Sequence, residues 1–288
     1  MNLVSPQILD GQRIAGESLT KLQSSVEAFT ERMGRKPKFA LLRVGENPAS
    51  VFYMRRKCAM AEKMGIESIV AVFPVGTPQE FVEEEISNWN GDPSIDGILV
   101  QAPLPSAEYQ RFIFNAIHPG KDVDGFHPVN MGKLACEDPS GFVPCTPKGI
   151  LRLLRAYDIP LEGHHVVIIG RSLIVGRPLG LLLQSRAVNA TVTVCHSQSR
   201  NLAEITRTAD VLIVAAGQAK LVTVDMVKER TVVVDVGQNR DKNGSLCGDV
   251  DFPAVAPRCA YITPVPGGVG PMTIAMLMEN VIQACAVK

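Results

Sequence analysis

Short apolar runs alternate with helix-like stretches through both halves of the chain, and this alternation restricts the fold more than any other feature. Short apolar runs bounded by Gly, Asp or Asn are typical of strands that are buried on both faces. Strands that alternate with helices join through right-handed crossovers into parallel sheets, so we predict an α/β fold. The predicted strands cover residues 39–44, 66–73, 95–101, 165–169, 191–195, 211–215, 232–236 and 261–263.

A stretch rich in Gly and Pro, residues 118–147, separates the two α/β patterns. Such a run of turn-forming residues is typical of a segment between domains. We therefore predict an N-terminal α/β domain over residues 1–143 and a second α/β domain over residues 144–271. The predicted helices cover residues 48–64, 78–89, 107–117, 175–186, 202–207, 223–230 and 273–286.

Composition excludes several classes of function. With 288 residues the chain is too long for most single cores, and its 29 basic and 29 acidic side chains give no net charge to attract nucleic acid or a membrane surface. The seven cysteines are scattered and include no C-x-x-C pair, which favours reduced thiols over a disulfide or zinc framework. No signal pattern and no apolar run near ~20 residues is present. We expect a cytoplasmic protein without a metal, nucleic-acid or membrane partner.

The strand at 165–169 runs into a glycine-rich segment, G-R-S-L-I-V-G-R-P-L-G (170–180), that leads into a helix. Doubly wound folds place a phosphate at such a turn, because free amides and the helix dipole both favour an anion. The glycine spacing differs from G-x-G-x-x-G, so a tight structural turn is the alternative. The second domain is therefore predicted to be a Rossmann-like, doubly wound, nucleotide-binding domain.

The next strand ends in H-S-Q-S-R (196–200), without the Asp or Glu that would bind a ribose 2′-hydroxyl. Hydroxyls and cations at this position favour a 2′-phosphate, and so NADP over NAD. Arg171 and Ser172 are further candidates to bind this phosphate. For His196 and Arg200 taken singly, an ordinary solvated strand end is an equally good interpretation.

Candidate chemical groups lie in the first half. Tyr53 and Lys57 stand four residues apart and share one face of a predicted helix. A lysine acts as a base only when burial or neighbouring charge lowers its pKa, and a surface contact is the alternative. Gln101 emerges at a strand's carboxyl end, where open sheets bind ligands. Asp124 could accept two hydrogen bonds from a 2-aminopyrimidinone edge; the alternative is a turn-forming aspartate, a role that Asp122 can play equally well.

Three prolines and three glycines fall within residues 264–271. Proline fixes φ and glycine permits close approach to the backbone, so the segment is stiff and has little side-chain bulk. This favours the wall of a site for a flat ligand over a plain surface turn, which would need only one or two such residues.

Together these motifs closely resemble the bifunctional methylenetetrahydrofolate dehydrogenase/methenyltetrahydrofolate cyclohydrolase family over essentially the whole chain. Each motif is weak, but the ordered set is highly specific. The motifs are N-P-A-S-x-x-Y-x-x-x-K (47–57), V-Q-A-P-L-P (100–105), D-V-D-G-F-H-P (122–128), P-C-T-P-K-G (144–149), G-R-S-x-I-V-G-R-P (170–178), V-D-V-G-x-N-R (234–240), G-D-V (248–250) and P-V-P-G-G-V-G-P-M-T (264–273).

The resemblance implies an active site in a cleft between the domains, a C-terminal helix (272–288) that joins the first domain, and a homodimer formed through the nucleotide-binding domain. It also assigns roles to side chains. The implied catalytic residues are Lys57, Tyr53, Gln101 and Asp124; the substrate-binding residues are Ser50, Val100, Pro266, Gly267, Gly268, Val269 and Gly270; the NADP-binding residues are Gly170, Arg171, Ser172, Ser197 and Gln238.

The resemblance further implies NADP-dependent oxidation of 5,10-methylenetetrahydrofolate, followed by hydrolysis to 10-formyltetrahydrofolate, within one-carbon metabolism and purine biosynthesis. A monofunctional dehydrogenase, a similar dehydrogenase with another small substrate, and a non-enzymatic folate- or nucleotide-binding regulator are the alternatives. Two positions depart from the family pattern, where Ala102 replaces a leucine and Gln238 replaces an isoleucine at a backbone contact to the cofactor.

Overall fold

The computed structural model describes residues 6–286, which divide into two compact units. Residues 6–16 and 146–273 form the first, which we call the six-stranded unit. Residues 17–145 and 274–286 form the second, which we call the three-stranded unit. All seven cysteines are free thiols.

The strands are β1 (Gln7–Ile8), β2 (Lys38–Val44), β3 (Glu67–Phe73), β4 (Gly97–Gln101), β5 (His165–Ile169), β6 (Thr191–Cys195), β7 (Val211–Val214), β8 (Thr231–Asp235), β9 (Asn239–Arg240), β10 (Leu246–Cys247) and β11 (Cys259–Ile262). The helices are α1 (Gly11–Met33), α2 (Pro48–Lys63), α3 (Gln79–Gly91), α4 (Ala107–Ala116), α5 (Pro128–Ala135), α6 (Cys145–Ala156), α7 (Gly176–Gln184), α8 (Leu202–Thr206), α9 (Phe252–Val255) and α10 (Val269–Ala286).

The sheet of the three-stranded unit has the order β3-β2-β4, and both strand pairs are parallel. Its core is an apolar cluster that includes Leu42, Ile86, Trp89 and Ile98. Because β3 and β4 pair on opposite sides of β2, the carboxyl end of β2 is a topological switch point, where open α/β sheets bind ligands. Helix α2 begins just beyond this point.

The main sheet of the other unit is also parallel, in the order β1-β11-β8-β7-β5-β6. Its inner strands are apolar at their centres and almost completely buried, as is typical of parallel strands whose two faces are both covered. Strand β5 has β6 on one side and β7 on the other, so its carboxyl end is the switch point of this sheet. Gly170 is the first residue after it. The parallel α/β fold and the doubly wound second domain predicted from the sequence are confirmed.

The N-terminal segment differs from the predicted domain division. Residues 6–16 belong to the six-stranded unit, not to the domain predicted over 1–143, because β1 pairs in parallel with β11. Gln7 lies opposite Tyr261, and Ile8 opposite Ile262. Residues 274–286 belong to the three-stranded unit. Residues 1–5 and 287–288 of the predicted ranges lie outside the described residues.

Three local predictions were wrong or incomplete. The helix predicted at 223–230 is only a 3₁₀ turn, Val224–Met226, because the β-branched Val227 is extended and Arg230 has a positive φ of 63°. The 23-residue helix α1 was not predicted. The supposed interdomain stretch at 118–147 contains α5 and the start of α6, and the unit division falls within α6.

Helix α10 is long and apolar enough to cross a membrane by length and composition alone, and it is the one such helix among residues 6–286. Most of its residues are buried within the protein, as in the core helix of a globular fold. It begins at Val269, four residues earlier than predicted, so the last residues of the Pro/Gly segment form its first turn.

Two glycines of α7 provide a matched test of the switch-point turn. A Cβ on Gly176 would collide with the carbonyl group of Gly170, whereas a Cβ on Gly180 would make an ordinary contact, 3.5 Å from a methyl group of Val194. We expect Gly176→Ala to destabilise the protein by roughly 1–3 kcal/mol through overpacking. Gly180→Ala should be neutral or stabilising by up to about 1 kcal/mol, because alanine favours helix.

Urea denaturation followed by circular dichroism measures both changes. Equal midpoints for the two variants would show that Gly176 is not packed against the turn.

Candidate functional site

One face of α2 carries three of the predicted site residues. Ser50, Tyr53 and Lys57 recur at helical spacing; Ser50 and Lys57 are 3% and 7% exposed, and Tyr53 is half-buried. The α2 N-terminus is fixed by the Asn47 side chain, which accepts hydrogen bonds from the amides of Ala49 and Ser50. The Ser50 hydroxyl donates to the carbonyl oxygen of Ala102 at 3.2 Å, so this face of α2 lies against the exit of β4.

Lys57 and Gln101 are in direct contact. The Lys57 ammonium donates to Gln101 Oε1 at 2.9 Å, and Gln101 Nε2 donates to the Ala102 carbonyl at 2.8 Å. The second bond fixes which end of the amide faces the lysine. Among the hydrogen bonds of the described residues none joins Tyr53 to Lys57. The two residues share one face of α2, as predicted, but are not bonded to each other. Burial raises the pKa of Tyr53, and the nearby Arg56 charge opposes that rise.

The choice between Asp122 and Asp124 is decided by their hydrogen bonds. Asp122 is 2% exposed, and its two oxygens accept from the amides of Gly125 and His127 and from Asn130 Nδ2, at 2.8–3.1 Å. Burial raises the pKa of Asp122 to about 6, against the opposing effect of these donors. Asp122 is therefore the residue that shapes the turn.

Asp124 is the carboxyl group whose pKa is affected by the charge of Lys57. Burial raises the pKa of Asp124, and the positive charge of Lys57 is the strongest influence in the opposite direction, followed by a hydrogen bond from Cys145. The turn brings Asp124 beside α2, although 67 residues of sequence separate it from Lys57. The three-stranded unit thus gathers an amine, an amide and a carboxyl group in one place.

Asn280 holds this turn and was not among the sequence candidates. It is fully buried on α10, and its amide donates to the carbonyl oxygens of Val123 at 2.9 Å and Val143 at 3.0 Å. The signal in the sequence was an amide within a largely apolar helix, since a buried amide needs partners.

Val100 is the one predicted site residue of this unit whose side chain faces the core. It is 2% exposed and belongs to the apolar cluster beneath the sheet. Only its backbone is available to a ligand.

The carboxyl ends of three strands meet at Gly170. Its amide donates to the Cys195 carbonyl at 2.9 Å, the Ala215 amide donates to the Ile169 carbonyl at 2.8 Å, and a Cβ on Gly170 would collide with Ala215. Gly170 also has a φ of 117°, which side chains rarely adopt. Only glycine fits this position, as expected where a ligand approaches the backbone.

Cationic and hydroxyl side chains flank this turn. Arg171 and Ser172 are exposed, and the Ser172 hydroxyl accepts from the Val175 amide at 3.1 Å. After the neighbouring strand, the His196 amide donates to Ser199 Oγ at 2.9 Å in a tight turn that leaves Ser197 exposed. The first residues after β5 and β6 therefore present no carboxylate, and their donors suit a nucleotide with a 2′-phosphate. The residues present fit NADP.

Gln238 and the Pro/Gly segment lie together in the six-stranded unit. Gln238 is exposed, and a Cβ on Gly270 would lie 3.2 Å from its Nε2 atom. The segment itself is packed against the start of α1, where the Gln12 amide donates to the Gly267 carbonyl at 3.1 Å. Gly268 and Val269 are buried, whereas Pro266 is exposed.

The predicted site residues thus form three groups. Ser50, Tyr53, Lys57, Gln101 and Asp124 lie together in the three-stranded unit. In the six-stranded unit, Gly170, Arg171, Ser172 and Ser197 surround the switch point, and Gln238 lies beside 266–270. Among the described residues no group of three or more His, Cys, Asp and Glu side chains is placed to hold a metal ion.

Comparison with known proteins identifies a single family along the chain. Residues 9–124 match the tetrahydrofolate dehydrogenase/cyclohydrolase catalytic domain, and residues 144–288 match the NAD(P)-binding domain of the same family. The bifunctional protein FolD of Streptococcus mutans is 51% identical over 278 residues, 96% of this chain and 97% of its own length.

Solved structures agree with this match. The crystal structure of the bifunctional FolD methylenetetrahydrofolate dehydrogenase/cyclohydrolase of Campylobacter jejuni is 44% identical, with a TM-score of 0.93 over 98% of this chain and 99% of that one. The corresponding enzyme of Trypanosoma brucei, solved with NADP and an inhibitor, is 34% identical, with a TM-score of 0.93 over 99% and 98%.

Arg171 tests the assignment of the 2′-phosphate. We expect Arg171→Ala to raise the KM for NADP about 10- to 100-fold, because a charge-assisted hydrogen bond contributes about 1.5–3 kcal/mol. The KM for NAD, which lacks this phosphate, should change little. Steady-state rates with each cofactor provide the measurement.

Arg207→Ala is the matched control, because Arg207 is an exposed arginine of the same unit that bonds to the Asp225 carbonyl. An unchanged ratio of the two KM values in Arg171→Ala would remove Arg171 from the phosphate site.

Proposed function

This chain belongs to the tetrahydrofolate dehydrogenase/cyclohydrolase family, and we propose that it catalyses both reactions on one folate substrate. It oxidises 5,10-methylenetetrahydrofolate to 5,10-methenyltetrahydrofolate with NADP, and it hydrolyses that product to 10-formyltetrahydrofolate. The observation that carries the proposal is the contact of Lys57 with Gln101 beside Asp124, because oxidation alone does not require a buried amine.

For the oxidation step, the residues of this chain position the folate substrate and the cofactor. Bound NADP accepts the hydride, and the protein must align the folate and nicotinamide rings within about 3–3.5 Å. The Gly170 turn with Arg171, Ser172 and Ser197 holds the phosphates, and Gln238 lies at the carboxyl end of β8. Asp124 can accept two hydrogen bonds from the amino-pyrimidinone edge of the pterin.

For the hydrolysis step the chain supplies a group that handles a proton. Water attacks the methenyl carbon and must lose a proton as the new C–O bond forms. The bond from this carbon to N5 then breaks as N5 takes up a proton, which leaves the formyl group on N10. In the free protein Lys57 Nζ donates to Gln101 Oε1 at 2.9 Å, and the positive charge of Lys57 lowers the pKa of Asp124. We propose that the Lys57 amine, held beside Gln101, accepts this proton.

An assay without NADP separates the two activities. Methenyltetrahydrofolate absorbs in the ultraviolet, and its decay above the uncatalysed rate measures the hydrolase alone. Decay at the uncatalysed rate, together with normal NADP-dependent oxidation, would leave a monofunctional dehydrogenase.

Lys57→Met tests the role of the amine. Methionine preserves length and apolar volume but removes the group that accepts the proton. We expect the hydrolase rate to fall by about 10²–10⁴-fold, the usual contribution of general base catalysis, and the oxidation rate by less than about tenfold.

Lys63→Met, an exposed lysine at the end of the same helix, is the control and should leave both rates unchanged. Equal losses of the two activities in Lys57→Met would contradict a separate role for Lys57 in hydrolysis.

We further propose that the enzyme is a homodimer formed through its nucleotide-binding unit. Strand β6 is the edge of the six-stranded sheet, and its Val194 is 39% exposed. An edge strand can pair with a second copy, and a lysine placed on it blocks such pairing. Val194→Lys should therefore yield monomers in sedimentation velocity.

The matched variant is Val70→Lys on β3, the edge of the other sheet, where Val70 is 45% exposed. If Val70→Lys yields monomers and Val194→Lys does not, the interface lies in the three-stranded unit instead.

We also propose that the enzyme acts in the cytoplasm, without nucleic-acid or membrane partners, and supplies formyl groups for purine biosynthesis. The free thiols and the zero net charge support this setting. Cell fractionation tests the location. A purine requirement after loss of the gene tests the pathway, and growth without purines would contradict it.

A further inference from the structure

Two buried carboxyl groups lie at the carboxyl edge of the six-stranded sheet and have no part in the chemistry described above. Asp235 is the last residue of β8 and is 3% exposed. Asp249 follows β10 and is fully buried. Carboxylates are rarely this buried unless donors satisfy their oxygens, so their partners indicate what they hold.

Asp249 binds the exits of two strands at once. Its Oδ2 atom accepts from the amides of Ala216 at 2.7 Å and Gly217 at 2.9 Å, directly after β7. Its Oδ1 atom accepts from Asn239 Nδ2 at 2.8 Å, one residue beyond Gln238. The β7 exit in turn touches the Gly170 turn, since a Cβ on Gly170 would collide with Ala215.

Asp235 holds Asp249 in place. Its oxygens accept from the amides of Gly237, Asp249 and Val250, each at 2.9 Å. Burial raises the pKa of Asp235 to about 6, so the group is mostly ionised at neutral pH and can accept all three bonds. A Cβ on Gly248 would collide with the Asp235 carboxylate, and one on Gly237 would collide with Asp249. Both glycines therefore pack tightly against these carboxyl groups.

We propose that Asp249 is a positioning residue for the nicotinamide cofactor, which fixes the backbone exits of β7 and β8 on which the cofactor lies. The inference rests on the proposed use of NADP. Asp249 bonds to Ala216, Gly217 and Asn239, so it acts on the cofactor through groups of the six-stranded unit. Its loss should therefore weaken cofactor binding and leave folate hydrolysis intact.

The first measurement uses Asp249→Ala in the full-length enzyme. Calorimetric titration with NADP should show a Kd at least tenfold higher than in the wild type. Methenyltetrahydrofolate hydrolysis without NADP should stay within twofold of wild type, because that reaction uses residues of the three-stranded unit. Asp225→Ala, at an exposed aspartate of the same unit, should change neither value.

A conservative variant tests the same role of Asp249 in case Asp249→Ala does not fold. Asp249→Asn keeps the side-chain volume, and its carbonyl oxygen can still accept from Ala216 and Gly217 if Asn239 turns its own amide over. We expect a three- to tenfold increase in the NADP Kd, between wild type and Asp249→Ala. Hydrogen exchange at Ala216 and Gly217 should follow the same order.

The results separate this inference from the proposed function. A folded Asp249→Ala or Asp249→Asn whose NADP Kd lies within 1.5-fold of wild type overturns the role of Asp249. If the wild type binds NADP but does not oxidise methylenetetrahydrofolate, the proposed function fails, while the binding series still decides the role of Asp249. A wild type that does not bind NADP overturns both.

Discussion

Parallel pairing of the strands is the constraint on which every candidate group depends. In a parallel sheet all strands end at one edge, so side chains far apart in sequence emerge beside each other. In the three-stranded unit this brings Gln101, at the end of β4, against Lys57 on the helix that follows β2. In the six-stranded unit it brings Gly170, Cys195 and Ala215 together at one turn. Antiparallel pairing would have sent half of these groups to the opposite edge.

The sequence predicted those features that a periodic pattern encodes. The α2 face followed from helical spacing, and the switch point from a buried strand that ends in glycine. Sequence patterns failed where contacts between residues distant in the sequence determine the local structure. Two residues of β1 carry no periodicity and are a strand only because β11 is beside them. Asp122 and Asp124 are the same residue type in the same turn, and only the donors around them distinguish their roles. At 223–230 the helix prediction overlooked β-branched residues that favour extended backbone.

The two carboxyl-bearing regions use charge in opposite ways. Asp124 lies near a cation, Lys57, whose positive charge lowers the pKa of Asp124. Asp249 and Asp235 accept from backbone amides and, at Asp249, from the Asn239 side-chain amide; none of these donors titrates, so the two carboxyl groups fix geometry. Burial alone does not distinguish these uses, because it raises the pKa of both Asp124 and Asp235. The neighbouring groups distinguish the two uses, because Asp124 has a lysine nearby whereas Asp235 and Asp249 are bonded to amides.

The chain order of the two units has a consequence for synthesis on the ribosome. Strand β1 must wait for β11, more than 250 residues later, and the turn that bears Asp124 must wait for Asn280. The six-stranded unit therefore cannot be completed before β11 is made, nor the three-stranded unit before α10 is made. A chain that stopped before Cys259 would lack parts of both folds, so residues 259–286 are needed to complete both units.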